Sequence, residues 1–462
     1  MCKRYIFHGH GGQARQPLLA AVAARCVLAA VIFLISVPPS LAQQEIGTGS
    51  RHGYHVQLHE LSFANPEPTL PVPRHEAIEQ MPFFADTKFD AQLKTFYLTR
   101  DKFDPSRVAA WALGGSLSYR SGYLRDLVRI GAVGYTSQPL WAPEEYDGTQ
   151  LLKLGQEGYT VLGQAYAEAK LTDSIFAALG RKAYETPYIN KHDVRMTPNT
   201  FEGVTVYGTA GGVEGSLPAW RFGGGFISKI KNLDSDEFVW MSERAGAPDD
   251  VERGVYLAGV NYQNGGLSVG AINYYSADII NIFYADATYQ LPAINGYKLT
   301  LGGQYSDQRS TGSNLLTGAS FSTRQWGLKA DMGIASAVLT LAYTGTANGA
   351  DMRSPWGGYP GYTSVQVEDF DRAGEDAWMF KVAYDFSRQG AKGLTAYALA
   401  VLGNNVSAPY RNQNEYDLNL QWTPDRGLLK GASFRLRYAR VDQRGSGDEA
   451  LNDFRLIATY DF

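Results

Sequence analysis

The strictest constraint in this chain is an alternation of period two that recurs through its second half. In SFRLRYARVD (433–442), Arg435 and Arg437 stand between Phe434, Leu436 and Tyr438. That is a strand with one apolar face and one cationic face. YADATYQL (284–291) sets Ala285, Ala287, Tyr289 and Leu291 against Asp286, Thr288 and Gln290. YKLTLGGQYS (297–306), WGLKADM (326–332) and WMFKVAYDF (378–386) repeat the rule, with Lys329, Asp331, Lys381 and Asp385 on the polar side. So does EYDLNLQW (415–422), which opposes Glu415, Asp417, Asn419 and Gln421 to Tyr416, Leu418, Leu420 and Trp422. The last strand, DFRLIATYDF, carries Phe454, Leu456, Ala458, Tyr460 and Phe462 on one face and ends on the final residue.

Two kinds of structure satisfy such strands. A soluble sandwich packs the apolar faces of two sheets against each other. A transmembrane barrel turns them outward to lipid and encloses the polar faces around water. The ends of the apolar faces are rich in Trp, Tyr and Phe, and short turns (PAING, 292–296; GIAS, 333–336) alternate with long polar segments. Aromatic ends, short turns on one side and long loops on the other are the marks of the barrel. Closure also removes every unpaired edge, as hydrocarbon requires. The expectation is therefore an all-β, transmembrane antiparallel β-barrel over 87–462. At some 20 residues per strand and connection its length suggests 16–20 strands, wide enough for an aqueous channel. Arg435 and Arg437 then face the lumen.

Residues 1–42 read as a signal peptide. Lys3, Arg4, Arg15 and Arg25 precede or flank the apolar run CVLAAVIFLISV (26–37), and Ser40-Leu41-Ala42 supplies a small-residue cleavage site near Ala42. The run is too short to span a bilayer as a helix. Both cysteines, Cys2 and Cys26, fall inside it, which excludes a disulfide framework or thiol catalysis in the remainder. The segment holds four of the 42 basic residues and none of the 46 acidic ones, so the remainder carries a net charge near −8. That argues against nucleic acid as a partner.

Residues 43–86 differ in composition, with five prolines and with His52, His55, His59 and His75. They read as an extended N-terminal arm. His55 and His59 have the i, i+4 spacing of a helical metal pair, although incidental histidines on a solvated arm explain them better. No metal and no cofactor is expected. His192 is the only histidine in the barrel region, and no serine is paired with it by motif, so a barrel enzyme lacks its base and nucleophile. GTAGGVEG (208–215) has no phosphate-loop lysine and reads as a turn. A receptor with a plug domain needs a longer chain.

Four stretches resemble the OprD family of outer-membrane channels, in family order. GTQLLKLGQEGYTVLGQAYAEAKL (148–171) is similar to an early strand region, and TPYINKHDVRMTPNTFEG (186–203) to the inward-folded third loop and the strand after it. GYPGYTSVQVEDFDRAGEDAWMFKVAYDFS (358–387) is the most specific match, and FRLRYARVDQRGSGDEALNDFRLIATYDF (434–462) resembles the final hairpin. The resemblance implies 18 strands, as a monomer or in homotrimers, embedded in outer-membrane lipid. It implies passive, partly selective diffusion of small carboxylate-bearing solutes along a ladder of basic residues. By position the ladder is Lys94, Arg100, Arg435, Arg437 and Arg455, with Lys381 added by parity. The constriction loop would bring Tyr184, Tyr188, Lys191, His192 and Arg195. Two departures stand out. TAYALAVLG (395–403) lacks the basic residue that family members often carry there, and the inward acids Asp286, Asp331, Asp385, Glu415 and Asp417 are numerous. A zwitterionic solute therefore fits at least as well as a simple anion. A nonspecific porin is the alternative, and a barrel enzyme a remoter one.

Overall fold

The computed structural model describes residues 82–212, 219–444 and 450–462. The signal peptide and most of the arm, with His52, His55, His59 and His75, lie outside the described residues. Of GTAGGVEG, residues 213–215 also lie outside them, while 208–211 end the strand Thr200–Gly211 rather than forming a turn. From Lys88 onward the chain is a closed antiparallel sheet in which each long strand pairs with its sequence neighbours. The last strand, Ala450–Asp461, pairs with the first, Lys88–Asp101, from Gln92↔Asp461 to Asp101↔Asn452. Eighteen long strands make the wall, and a nineteenth, the two-residue Val239–Trp240, belongs to a loop. Among the described residues no helix is long and apolar enough to cross a membrane. The crossing is made by strands.

Alternation in the sequence becomes alternation in burial. Along Ala432–Gln443, Phe434 and Leu436 are exposed while Arg435 and Arg437 are each only 8% exposed. Leu418 and Leu420 point outward, and Glu415, Asp417, Asn419 and Gln421 point inward. The outer face is an apolar surface that only lipid can cover. Aromatic pairs mark its two borders. Trp326, Tyr343 and Trp378 touch in series at 4.8 Å near the long-loop end. Trp422 stacks on Phe434, and Tyr460 meets Phe462, near the short-turn end. Rings of this kind sit at the headgroup level of a bilayer.

Turns at one end are as short as Gly265–Gly266 and Ala335–Ser336, where Gly265 and Ala335 have positive φ. At the other end the connections 142–158, 183–199, 232–254 and 347–375 are long. One strand, Ile175–Lys182, is much shorter than its neighbours, so the loop 183–199 leaves the wall early. The backbone at Pro82–Ala85 forms a single helical turn held to the first short turn by Gly122 N–H donating to Phe83 O at 2.9 Å. It follows that Leu436→Arg, with its side chain facing lipid, should impair barrel assembly, because a cation at the midplane of that face costs about 2–4 kcal/mol. Heat-modifiable migration on gels checks this, and normal assembly would mean that the faces are reversed.

Candidate functional site

Two long loops fold into the barrel and fill part of the lumen, whose remaining space is its lane. The first is 183–199. Its Tyr188 hydroxyl meets Ser306 Oγ at 2.7 Å on a strand far along the sheet, and Tyr274 donates to Thr186 Oγ1 at 2.9 Å. Tyr184 and Tyr188 are buried, with Ile189, in an apolar cluster that also holds Trp356 and Tyr359. These tyrosines pack against the wall rather than bordering the lane. Arg195 is likewise covered, its Nε donating to Thr149 O at 2.8 Å. Lys191 pairs with Glu185 at 3.1 Å. Burial, reinforced by nearby Arg195, pushes the His192 imidazole down to about 4, so it is neutral at ordinary pH.

The second loop is 347–375, and it interlocks with the first. Asn190 Nδ2 donates to Gly358 O at 3.0 Å, and Gly358 N–H returns a bond to Asn190 Oδ1 at 2.8 Å. A Cβ at Gly358 would lie 2.4 Å from His192 Nδ1, so only glycine lets the loops approach this closely. Tyr362, from the same loop, lies against Gly302 and Gly327 of the wall, where a Cβ on Gly302 would come 2.9 Å from its hydroxyl. The specific stretch 358–387 is thus in part an interior loop and in part the strand Asp376–Asp385.

Carboxylates of the wall hold this second loop in place. Val367 and Glu368 each donate a backbone N–H to Glu415 at 2.8 Å, and Gln366 N–H donates to Asp417 at 3.2 Å. Gln366 Nε2 donates to Asp453 at 2.7 Å. Glu415 and Asp417 therefore have a structural task as loop clamps. Asp385 caps the turn Phe386–Gln389 by accepting Ser387 N–H at 2.8 Å, because the strand ends at that residue. Asp331 pairs with Lys329 at 3.2 Å and accepts from Thr340. Asp286 lies beside Gly270 on the inward row with Gln304.

All six ladder positions sit on the wall with inward parity, but their surroundings divide them. Asp453 accepts from both Arg100 (2.8 Å) and Arg455 (2.6 Å), and Arg455 also donates to Gln366 O at 3.1 Å beneath the loop. Lys94 pairs with Asp193 of the first loop at 3.0 Å. Those three cations are spent on internal pairs. Arg435, Arg437 and Lys381 each touch a neutral group, although Asp417 also acts on Arg437 and Lys381, and Asp331 on Lys381. Arg435 Nε donates to Asn419 Oδ1 at 2.5 Å. Arg437 Nη2 reaches the Tyr397 hydroxyl at 3.4 Å, while its buried Nε has no hydrogen-bond partner. Lys381 Nζ stands 4.6 Å above the Tyr397 ring. Of the two strands that carry these cations, Ala432–Gln443 is net positive, with Arg435, Arg437 and Arg440 against Asp442.

Sequence reasoning missed Asp453, Gln366, Asp193 and Tyr397. Only Asp453 left a readable signal, since it shares a face with Arg455 two positions on. A second inward ion cluster was also missed: Glu168 takes Lys182 at 2.8 Å and Arg129 at 2.5 Å, with Tyr123 and Tyr207 donating to the same carboxylate. Among the described residues no group of three or more His, Cys, Asp or Glu is arranged to hold a metal ion.

Breaking the Asp453 pairs should release the second loop. Asp453→Asn leaves Arg455 and Arg100 without a counter-charge, a loss of about 3–5 kcal/mol for a buried pair. Faster trypsin cleavage at Arg353 or Arg372 in the folded protein is expected, with noisier single-channel current. Resistance and current like the parent's would show that the loop is held elsewhere.

The family model described as outer membrane porin, OprD family, matches residues 81–462. Porin D of Pseudomonas aeruginosa is 23% identical over 428 residues, covering 82% of this chain and 91% of that protein. Among solved structures, P. aeruginosa OccK9 (OpdG) superposes with a TM-score of 0.74 at 22% identity, over 82% of this chain and 99% of its own. P. aeruginosa OpdK, solved with vanillate, gives 0.71 at 21% identity over the same shares. A BenF-like porin from Pseudomonas fluorescens gives 0.73 at 19% identity, again over 82% and 99%.

Proposed function

Because the chain belongs to the OprD family of outer membrane porins, we propose that its lane passes small carboxylate-bearing or zwitterionic solutes, selectively and without energy input. The barrel lies in the outer membrane, and its relatives are channels rather than enzymes. The observation that carries the finer reading is the group Arg435, Arg437 and Lys381. Each of these inward cations touches a neutral side chain of the wall, and Arg100, Arg455 and Lys94 are hydrogen-bonded to carboxylates. A carboxylate that sheds water needs donors at each step, and a guanidinium offers a planar fork of the right spacing. Several sites of modest strength let a solute hop onward, whereas one deep site would hold it. Asp286, on the inward row with Gln304, supplies a carboxylate of opposite sign, which suits the ammonium group of a zwitterion. That OpdK was solved with vanillate, an aromatic carboxylate, agrees with the proposed solute class.

The test is Arg435→Ala combined with Arg437→Ala, followed by carboxylate flux in proteoliposomes with a neutral sugar as reference. Carboxylate flux should drop by roughly tenfold or more, equal to about 1.4 kcal/mol or more at the barrier, while sugar flux and heat-modifiable migration stay as before. Unchanged carboxylate flux would sink the ladder and favour a nonspecific porin.

A further inference from the structure

The strand Leu394–Asn404 carries no basic residue, yet it runs between the strands that bear Lys381 and Arg437. Tyr397 is its inward residue at that level, paired across the sheet with Asn419, which is in turn opposite Arg437. Above it, Leu399 and Val401 are sealed under the inner loop by an apolar cluster, and Tyr397 packs at the edge of that seal, half-buried. It therefore stands where the covered wall ends and the lane begins.

Two cations from different strands converge on this one phenol. Lys381 lies over its ring at 4.6 Å, a cation–π seat. Arg437 donates to its oxygen at 3.4 Å, longer than the usual 2.9–3.0 Å for such a bond. The long bond orients the guanidinium without saturating it, and Arg437 Nε has no hydrogen-bond partner. A phenol that accepts one hydrogen bond keeps its own hydrogen for donation, and the adjacent guanidinium polarises it.

We propose that Tyr397 is a specificity-determining residue of the lane: it gathers Lys381 and Arg437 into one carboxylate-binding step and donates its own hydroxyl hydrogen to the solute. This rests on the carboxylate reading above and names the residue that sharpens it. A neutral donor between two cations favours a carboxylate over chloride, because it adds a directional bond without adding charge. A third cation there would raise the attraction for every anion alike.

The experiment is current block of the full-length channel in planar bilayers, with benzoate as probe and neutral benzamide as control. Tyr397→Phe keeps the ring, the packing and the seat for Lys381 and removes only the hydroxyl. Its half-blocking concentration of benzoate should rise roughly three- to tenfold, the worth of one hydrogen bond, with potassium chloride conductance unchanged. Tyr397→Leu removes the ring as well and should weaken block further. If Tyr397→Phe is blocked like the parent while Arg437→Ala escapes block, Tyr397 only packs and the proposal fails, with the carboxylate reading intact. A conductance that falls in step with block would make Tyr397 a spacer of the lane and also overturn it. If the parent distinguishes neither benzoate from benzamide nor acetate from chloride, the carboxylate reading itself falls.

Discussion

Hydrocarbon offers no partner to a backbone N–H or C=O, and every other feature of this chain depends on that fact. Eighteen strands must close on themselves, so the first and last pair over ten residues. Once closed, the wall has an outside that must be apolar and an inside that need not be. Period two is the only sequence pattern compatible with both demands at once. The same constraint explains why irregular backbone goes to the rims or the interior. The loops 183–199 and 347–375 satisfy their backbone against lumen side chains such as Asn190 and Glu415.

Inside the wall a different balance governs. Charges drawn out of water must be paired or hydrogen-bonded. Asp453 is fully buried and is held by two guanidinium groups and the Gln366 amide. Glu415 and Asp417 receive backbone N–H groups of the inner loop. Such carboxylates hold the loop by polar contacts on one wall. Apolar packing does the same on the other, through Tyr184, Tyr188, Trp356 and Tyr359. The strands Val255–Asn264 to Ile280–Gln290 meet mostly apolar filling at their long-loop ends, a smaller apolar cluster covers Asp376–Asp385 and Leu394–Asn404, and the strands Gln413–Trp422 to Ala450–Asp461 keep the polar side.

The architecture was legible because the barrel's rule is local. Arg435 and Leu436 are assigned opposite faces by their neighbours alone, and the structure keeps that assignment along every strand read for it. Side-chain parity says which way a residue points but not what it meets. That Glu415 would receive the N–H groups of Val367 and Glu368 depends on a loop fold-back with no periodicity to betray it. Burial of Tyr188 depends on a strand more than a hundred residues away. Gly302 and Gly327 look like weak strand residues until Tyr362 is seen to lie across them. The Asp453–Arg455 pair was within reach of sequence reading, since the two residues are same-face neighbours, but their burial under Gln366 was not.

The six inward cations therefore divide by the partners they touch. A cation that already faces a carboxylate has little left to give a solute, and removing it exposes its partner. Arg100, Arg455 and Lys94 are of that kind. An amide or a phenol offsets less of a cation's desolvation than a hydrogen-bonded carboxylate does. Arg435 against Asn419, and Lys381 and Arg437 against Tyr397, are of this second kind. On the proposed reading, weaker compensation is costly for folding and useful for transport, because an arriving carboxylate would add the charge that an amide or a phenol does not. A closed barrel can carry that cost, since its backbone pairing is continuous and does not depend on any single lumen residue.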